Sequence, residues 1–379
     1  NTAIILLLLF ITIFKCSITR EKIIYKKRYN IFLIGLCAYC IFALILSDYA
    51  DFGYQIKYLL QIIITDFLPS ILTISIVRRD KDILLVVKVY IITSMIVTSY
   101  GILSYLIQSN PYQLIWSSLS NSSIEHYWYG NYTTSTFVSM NSFGYYIGMT
   151  VPFIVFLISK NIYKRKSEIA LILLLINSLL CKKRTVIVVL ICYFIMVFIS
   201  GNIKKRIKYL LYSIPIMGLF FALIFIIPSL QSIKNLLITS IFFWDDSLYV
   251  NVISGNGGSN MALRLRQLTY PFIEVKDNLF FGHGVGWCSW YLSRDIIHPQ
   301  LFGFETLAAQ AICEFGINAF LLYPILFFSM YKFADANDKN KYVGLFVISL
   351  FVQMMGTGQV YWYLVLMLIR HLTLLVIFL

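Results

Sequence analysis

The hydrophobic positions of this chain form long uninterrupted stretches and do not alternate with polar positions at a regular period. Most stretches are about 15–25 residues long, which is the length that an α-helix needs to cross the hydrocarbon layer of a bilayer. Backbone N–H and C=O groups find no water in that layer, so each crossing segment must satisfy them internally, as a helix does. The pattern therefore predicts an all-α polytopic membrane protein with about eleven transmembrane helices.

The predicted spans are separated by short polar turns and by two long polar loops. The spans cover residues 2–14, 31–46, 58–77, 83–107, 141–158, 168–180, 185–200, 209–227, 304–331, 342–355 and 361–379. The loops cover residues 108–140 and 228–303, and since both are rich in Tyr, Trp, Asn and Gly, we expect them to be ordered or to become ordered on a ligand. We interpret residues 1–379 as one integral membrane domain. The sequence begins at Asn1 within an apolar stretch, so we expect both chain ends to be truncated.

The basic residues concentrate in every second turn between the predicted spans. The turns after spans one, three, five, seven and nine contain most of the 31 Lys and Arg residues. The positive-inside rule assigns these turns to the cytoplasm, which places both long loops on the outer face. These turns account for the net charge of +14, so the charge does not require nucleic acid as a partner.

Composition agrees with a membrane protein and excludes several kinds of site. Hydrophobic residues make up 59% of the chain and charged residues 13%, whereas soluble proteins contain about 25% charged residues. Most of the seven cysteines lie in or beside apolar stretches, and only Cys288 lies clearly in an outer loop. We therefore expect no disulfide framework, no metal site and no cofactor.

The sequence between spans six and seven breaks the charge rule. Lys182, Lys183 and Arg184 follow one another there with no acidic residue beside them, although the alternation places them outside. One explanation is that spans six and seven do not both cross the membrane. The other is that the three cations bind an anionic ligand, such as a lipid phosphate or pyrophosphate at headgroup depth.

Two arginines in the second long loop are further candidates for binding an anion. Arg264 and Arg266 lie in a predicted short helix, where two residues of separation turn them about 200° apart. One of them can then face a site while the other faces solvent. Guanidinium groups make bidentate contacts to phosphate oxygens. The alternative is an interfacial amphipathic helix whose arginines bind bulk lipid headgroups.

The end of this loop contains a glycine-rich turn and candidate proton acceptors. Residues 282–286 read GHGVG, and without a flanking strand and helix they are not a dinucleotide fingerprint. We predict a tight turn there that brings the backbone close to another element. Glu305, at the start of span nine, is a candidate general base, or else a carboxylate that complements the helix dipole. His298 is the alternative base, and Glu314 is predicted to be a structural acid, hydrogen-bonded or protonated.

Aromatic residues are frequent in the first long loop. They are Tyr112, Trp116, Tyr127, Trp128, Tyr129 and Tyr132. Aromatic rings stack on sugars, but they also anchor membrane proteins at the bilayer interface, and we interpret most of these as interfacial anchors.

The order of these features resembles the O-antigen polymerase and O-antigen ligase superfamily of bacterial envelope enzymes. The resemblance rests on residues 141–152 (NSFGYYIGMTVP), on the outer basic turn that ends at Arg184, and on the stretch from Arg264 to residues 314–316 (EFG). It covers about half of the chain. This sequence has Lys183 and Arg184 where the family has Ser-Arg or a similar pair, and Leu268 where the family often has Trp.

The resemblance implies a particular reaction and a particular place for it. Residues 303–306 (GFET) are more similar to the polymerases, since ligases usually have His in a His-Asn context where this chain has His298 and Pro299. A polymerase of this family is a metal-independent, GT-C-like glycosyltransferase that joins polyprenyl-pyrophosphate-linked oligosaccharide repeat units at the periplasmic face of the inner (cytoplasmic) membrane. Its product is O-antigen for lipopolysaccharide, and a chain-length regulator is an expected partner.

The resemblance also suggests roles for the candidate residues. Arg184, Lys183, Arg264 and Arg266 would bind the substrate pyrophosphate, Glu305 would be the catalytic base, and His298 the alternative base. Two other functions stay open. One is an O-antigen ligase that transfers the glycan to lipid A core, and the other is a flippase or transporter of lipid-linked oligosaccharides without catalytic activity.

Overall fold

The computed structural model describes residues 51–64, 80–120, 132–137, 140–181, 261–294, 298–301, 303–304 and 306–321, with short isolated stretches elsewhere. These residues are mostly helical and include no β-strand, which confirms the all-α prediction for this part of the chain. By its contacts the chain divides into two compact units. The first comprises residues 1–86, 262–343 and 354–379, and the second comprises residues 87–261 and 344–353.

Within the described ranges there are eight α-helices. They are α1 (Phe52–Ile62), α2 (Asp80–Ile107), α3 (Pro111–Ser120), α4 (Met140–Ser159), α5 (Lys164–Leu180), α6 (Met261–Glu274), α7 (Trp287–Ser293) and α8 (Leu307–Phe315). Two short 3-10 helices follow α6 and α8, at Lys276–Asn278 and Gly316–Asn318. Helices α2, α4 and α5 lie where the fourth, fifth and sixth spans were predicted. Helices α1 and α8 overlap the starts of predicted spans three and nine.

Two described helices are long and apolar enough to cross a membrane. These segments are Leu84–Ile107 within α2 and Ser142–Ser159 within α4, and Ala308–Leu321 is a shorter apolar helix. Length and composition are the only basis for this assignment, and the core helix of a soluble protein has the same properties. The architecture of about eleven spans therefore stays a prediction, and seven of the predicted spans lie largely or wholly outside the described residues.

In the second unit, α2, α4 and α5 run in alternating directions. A short turn over residues 160–163 joins α4 to α5, so these two helices are antiparallel. The Tyr90 hydroxyl lies 2.7 Å from that of Thr150, and the Ser94 hydroxyl lies 2.8 Å from that of Tyr146. Since the later position on α2 pairs with the earlier position on α4, α2 is also antiparallel to α4.

Helices α2 and α5 of the second unit expose large aliphatic side chains and bury several small and polar ones, whereas α4 buries mainly large apolar side chains. Over the second half of α2 the buried positions are Ser94, Thr98, Gly101 and Ser104. The exposed positions of the same helix include Ile92, Ile96, Leu103, Leu106 and Ile107. Helix α5 repeats the pattern, with Ser167, Asn177 and Ser178 buried and Ile169, Ile172 and Ile176 exposed. A water-soluble amphipathic helix has the opposite polarity, whereas small and polar residues at helix contacts are typical of helices that pack in lipid.

Part of the first long loop, residues 132–137, folds back onto one end of these helices. The N–H of Thr133 donates to the Leu180 carbonyl at 3.1 Å, and its hydroxyl donates to the Gly101 carbonyl at 2.8 Å. These bonds place the segment at the C-terminal ends of α2 and α5. The exposed basic residues at the start of α5, Lys164, Arg165 and Lys166, lie at the opposite end of that helix.

The first long loop also contains helix α3, which the hydrophobic pattern did not predict. Asn110 caps this helix, since its Oδ1 accepts from the Gln113 N–H at 3.3 Å, and Pro111 occupies the first helical position. The Asn110 amide also donates to the Thr134 hydroxyl at 3.0 Å and to the Ser135 carbonyl at 2.8 Å. The Asn-Pro pair is thus the sequence signal for this helix.

We predict that Asn110→Ala destabilises the second unit, because the substitution removes four hydrogen bonds of this buried side chain. Besides the bonds above, Asn110 Oδ1 accepts from the Tyr100 hydroxyl at 2.9 Å. Each unsatisfied buried group costs about 1–3 kcal/mol, so the loss should be clear in fluorescence-detected thermal unfolding in detergent. Ser118→Ala is the matched control, since the exposed Ser118 hydroxyl bonds only the nearby Ile115 carbonyl. Equal unfolding temperatures for the two variants would contradict this role of Asn110.

Candidate functional site

The two candidate arginines of the second long loop lie on helix α6. The helix covers Met261–Glu274, which confirms the predicted short helix in this segment. Arg266 is exposed. The backbone of Arg264 is helical, and its side chain lies outside the described residues. Arg266 is thus the residue of the two that faces solvent, and the prediction that Arg264 faces a site stays a prediction.

Three other predicted site residues lie outside the described residues. They are Glu305, Lys183 and Arg184, and their roles stay predictions. The last described residue before the two cations is Cys181, which ends α5 and is buried. The cations therefore follow in the chain from the end of α5 that carries residues 132–137.

The glycine-rich turn of residues 282–286 packs against the C-terminal end of α8. The N–H of His283 donates to the Cys313 carbonyl at 2.7 Å, and that of Gly284 donates to the Glu314 carbonyl at 3.2 Å. A Cβ atom on Gly282, whose φ is +64°, would lie 2.6 Å from the Cys313 oxygen. This geometry confirms the predicted tight turn, and the turn satisfies carbonyls that the end of a helix leaves without partners.

Glu314 connects α8 to the start of α7. Its carboxylate accepts hydrogen bonds from the N–H groups of Gly286 and Cys288 and from the Cys288 thiol. These contacts agree with the interpretation of Glu314 as a structural acid, hydrogen-bonded or protonated.

The thiols of this region are suited to packing and not to nucleophilic chemistry. Burial raises the pKa of the Cys288 thiol well above its usual value, and the neighbouring Cys313 thiol and Glu314 carboxylate raise it further. The thiolate is the reactive form of cysteine, so a raised pKa keeps this side chain inert. Within the described ranges, no group of three or more His, Cys, Asp and Glu residues is arranged to hold a metal ion.

Helix α1 also contacts the glycine-rich turn. The buried Gln55 amide donates to the His283 carbonyl at 3.0 Å, and the Tyr54 hydroxyl lies 3.3 Å from that of Ser289 on α7. A Cβ atom on Gly286 would collide with the Tyr58 ring. The sequence did not predict that α1 contacts this site. The local signal for such a contact is a set of polar and aromatic residues beside predicted span three.

An aromatic cluster encloses His298. The ring centroid of His298 lies 5.2 Å from that of Tyr291, 5.6 Å from that of Phe304 and 6.0 Å from that of Tyr270. Trp287 extends the cluster, with its ring 5.5 Å from that of Phe304. Only 4% of the His298 surface is exposed, so the ring is held within the fold of the first unit.

Both ring nitrogens of His298 have partners. Nδ1 accepts from the N–H groups of Gln300 at 3.2 Å and Leu301 at 3.0 Å. Nε2 lies 3.3 Å from the Glu274 carboxylate at the end of α6. A nitrogen that accepts backbone N–H bonds carries no proton, so the neutral ring is protonated at Nε2 and donates to Glu274. This arrangement favours a positioning role for His298 over the predicted role of alternative base.

The residues on either side of Glu305 are fixed by several contacts. Phe304 has a φ of +50° and a fully buried ring, and its carbonyl accepts from the Gln310 amide at 3.0 Å. Thr306 caps α8, since its hydroxyl oxygen accepts from the Ala309 N–H at 3.1 Å. Glu305 precedes the cap in the chain and lies outside the described residues, so both of its interpretations, general base and dipole-complementing carboxylate, stay predictions.

Comparison of the chain with protein-family models, with curated proteins and with solved structures finds no match. A function can therefore be supported only by the residues of this chain and their geometry. The segment from α6 to α8 brings together an arginine-bearing helix and the loop that leads to the candidate base.

We predict that Gly282→Ala disrupts the packing between the glycine-rich turn and α8. The added Cβ would meet backbone at 2.6 Å and require a left-handed conformation, which costs about 1–2 kcal/mol before any collision. Hydrogen exchange in peptides covering residues 279–288 should rise. In Gly53→Ala, the matched control on α1, the new atom meets only Asp51 at 3.6 Å, so exchange should not change. Unchanged exchange in both variants would contradict the described packing.

Proposed function

We propose that the protein is a membrane-embedded glycosyltransferase that polymerises polyprenyl-pyrophosphate-linked oligosaccharide repeat units. The reaction takes place at the periplasmic face of the inner membrane and yields O-antigen or a similar surface polysaccharide. The observation that carries this proposal is the contact between Glu274 and His298 at 3.3 Å. This contact joins α6, the helix that contains Arg264, to the loop that leads to Glu305. Arg264 and Glu305 are the residues that resemble site residues of the family.

The polarity of the second unit supports a membrane location. Helices α2 and α5 bury several hydroxyl and amide side chains and turn isoleucine and leucine outward. Exposed aliphatic faces of this size are unfavourable in water and favourable against lipid. A bilayer is therefore the environment that best accounts for α2 and α5.

The ends of α5 support the proposed orientation. Its start carries exposed Lys164, Arg165 and Lys166, which the positive-inside rule assigns to the cytoplasm. At its other end, the Leu180 carbonyl accepts a hydrogen bond from the N–H of Thr133 in the first long loop. The chain passes from that end into Lys183 and Arg184. In this orientation Lys183 and Arg184 are on the outer side, where they bind the anionic lipid-linked substrate.

The proposed chemistry needs one base and several cations. A hydroxyl of the acceptor repeat unit attacks the anomeric carbon of the donor's reducing-end sugar, and Glu305 takes the hydroxyl proton. A new glycosidic C–O bond forms while the bond to the pyrophosphate oxygen breaks, and polyprenyl pyrophosphate leaves. Arg264 stabilises the charge that develops on this leaving group, and Lys183 and Arg184 are the second predicted pyrophosphate-binding group.

We predict that the purified protein lengthens a synthetic polyprenyl-pyrophosphate repeat unit in detergent without added nucleotide sugar. Because a general base contributes about 100-fold or more, Glu305→Gln should lower the elongation rate by at least that factor. Arg264→Ala should lower it comparably, since charge stabilisation of the leaving group is lost. Product length can be followed by mass spectrometry.

The control is Lys276→Gln, which removes an exposed cation from the 3-10 helix after α6 and should leave elongation unchanged. Full activity of both Glu305→Gln and Arg264→Ala would contradict the site assignment. Transfer of the glycan to lipid A core without elongation would identify a ligase instead. Movement of the lipid-linked substrate across vesicles with no new glycosidic bond would identify a flippase.

A further inference from the structure

We infer that His298 is a positioning residue that fixes the candidate base loop to the arginine-bearing helix, and that Glu274 is its partner in this role. The inference rests on the proposed function, which it deepens by assigning to two residues a task other than proton transfer. It concerns residues 298–306 and the end of α6, all in the first unit.

The side chain of His298 closes the turn that follows it in the chain. Its Nδ1 accepts the N–H groups two and three residues further along the chain, at 3.2 and 3.0 Å. Asparagine and aspartate form the same local bond with a side-chain oxygen, and it closes a tight turn. Here the turn contains Pro299, and the Phe304 N–H then donates to the Leu301 carbonyl at 3.0 Å. The bonds of His298 thus hold the start of the loop that ends at Thr306.

The same loop contacts α6. The Gln267 amide donates to the Leu301 carbonyl at 3.3 Å, and Glu274 lies 3.3 Å from His298 Nε2. Both contacts join positions on α6 to the same short loop. The helix is the one that carries Arg264, so a shift of the loop is transmitted to the helix through these two contacts.

The backbone of Phe304 has a positive φ. A positive φ at a residue other than glycine is a strained conformation that persists only where the surroundings hold it, and such strain is concentrated at functional sites. The Phe304 φ is +50°, and its ring is fully buried beside His298. Since Glu305 is the next residue, the packing of Phe304 against His298 sets the backbone from which the candidate base projects.

Two substitutions separate positioning from base catalysis. The side-chain oxygen of asparagine can accept the N–H bonds of Gln300 and Leu301, yet the amide cannot take a proton from a substrate. His298→Asn should therefore keep the turn and retain elongation within about tenfold of the wild-type rate, the effect of one lost hydrogen bond. His298→Ala removes the acceptor, so hydrogen exchange across residues 298–304 should rise about tenfold, and the rate should fall mainly through kcat.

Glu274→Leu tests the other half of the pair, because it removes the oxygen that accepts from His298 Nε2, which the amide oxygen of glutamine would replace. It should leave exchange in residues 298–304 near the wild-type value and raise exchange in residues 267–275 at the end of α6. Combined with His298→Asn it should add little further loss, because both variants interrupt the same contact. The matched control is Asp277→Asn, which alters an exposed carboxylate three residues further on and should change neither region.

These variants are measured in the full chain in detergent, by exchange and by elongation of the synthetic lipid-linked repeat unit. Equal and complete loss of elongation in His298→Asn and His298→Ala, with unchanged exchange, would identify His298 as a base and overturn the inference. Unchanged exchange in His298→Ala would also overturn it. If wild-type protein shows no elongation, the proposed function fails, while the exchange results still decide whether His298 holds the loop.

Discussion

The described part of the chain depends on one physical constraint, which is that polar groups buried between helices must be satisfied by other helices and turns. Asn110 illustrates it, since its amide donates to the Thr134 hydroxyl at 3.0 Å and the Ser135 carbonyl at 2.8 Å, while its Oδ1 accepts from the Tyr100 hydroxyl at 2.9 Å. A Cβ atom on Gly101 would collide with the Asn177 side chain, so the close approach of α2 and α5 requires glycine there. The constraint explains why the first long loop returns to the bundle, because residues 132–137 supply partners for the ends of both helices.

The same constraint shapes the first unit and, through it, the candidate site. The carbonyls at the end of α8 accept N–H groups of the glycine-rich turn, while Glu314 accepts the N–H groups at the start of α7. This exchange of partners fixes α7 and α8 against each other. The aromatic cluster around His298 then packs between them and the end of α6. The candidate base loop is therefore positioned by contacts from three helices.

The sequence was sufficient to predict the features that depend on local pattern. Helices α2, α4 and α5 follow from apolar length, and the tight turn from three glycines spaced two apart. What could not be predicted depends on pairs distant in the chain. The contact of Gln55 with His283 and that of Glu274 with His298 leave no trace in the local sequence, so the sequence predicts neither the contact of α1 with the glycine-rich turn nor the surroundings of His298. Helix α3 was missed because its ten residues are too short for an apolar-length argument, although its Asn-Pro start was visible.

The central claim is that the segment from α6 to α8 binds the pyrophosphate of a lipid-linked glycan. The most direct measurement uses a polyprenyl-pyrophosphate analogue with a photoreactive group beside the pyrophosphate, crosslinked to the protein in detergent and mapped by mass spectrometry. The account predicts labelled peptides within residues 261–306, with labelling strongly reduced in Arg264→Ala and unchanged in Lys276→Gln. Labelling confined to other parts of the chain, or equal labelling in wild type and Arg264→Ala, would contradict it.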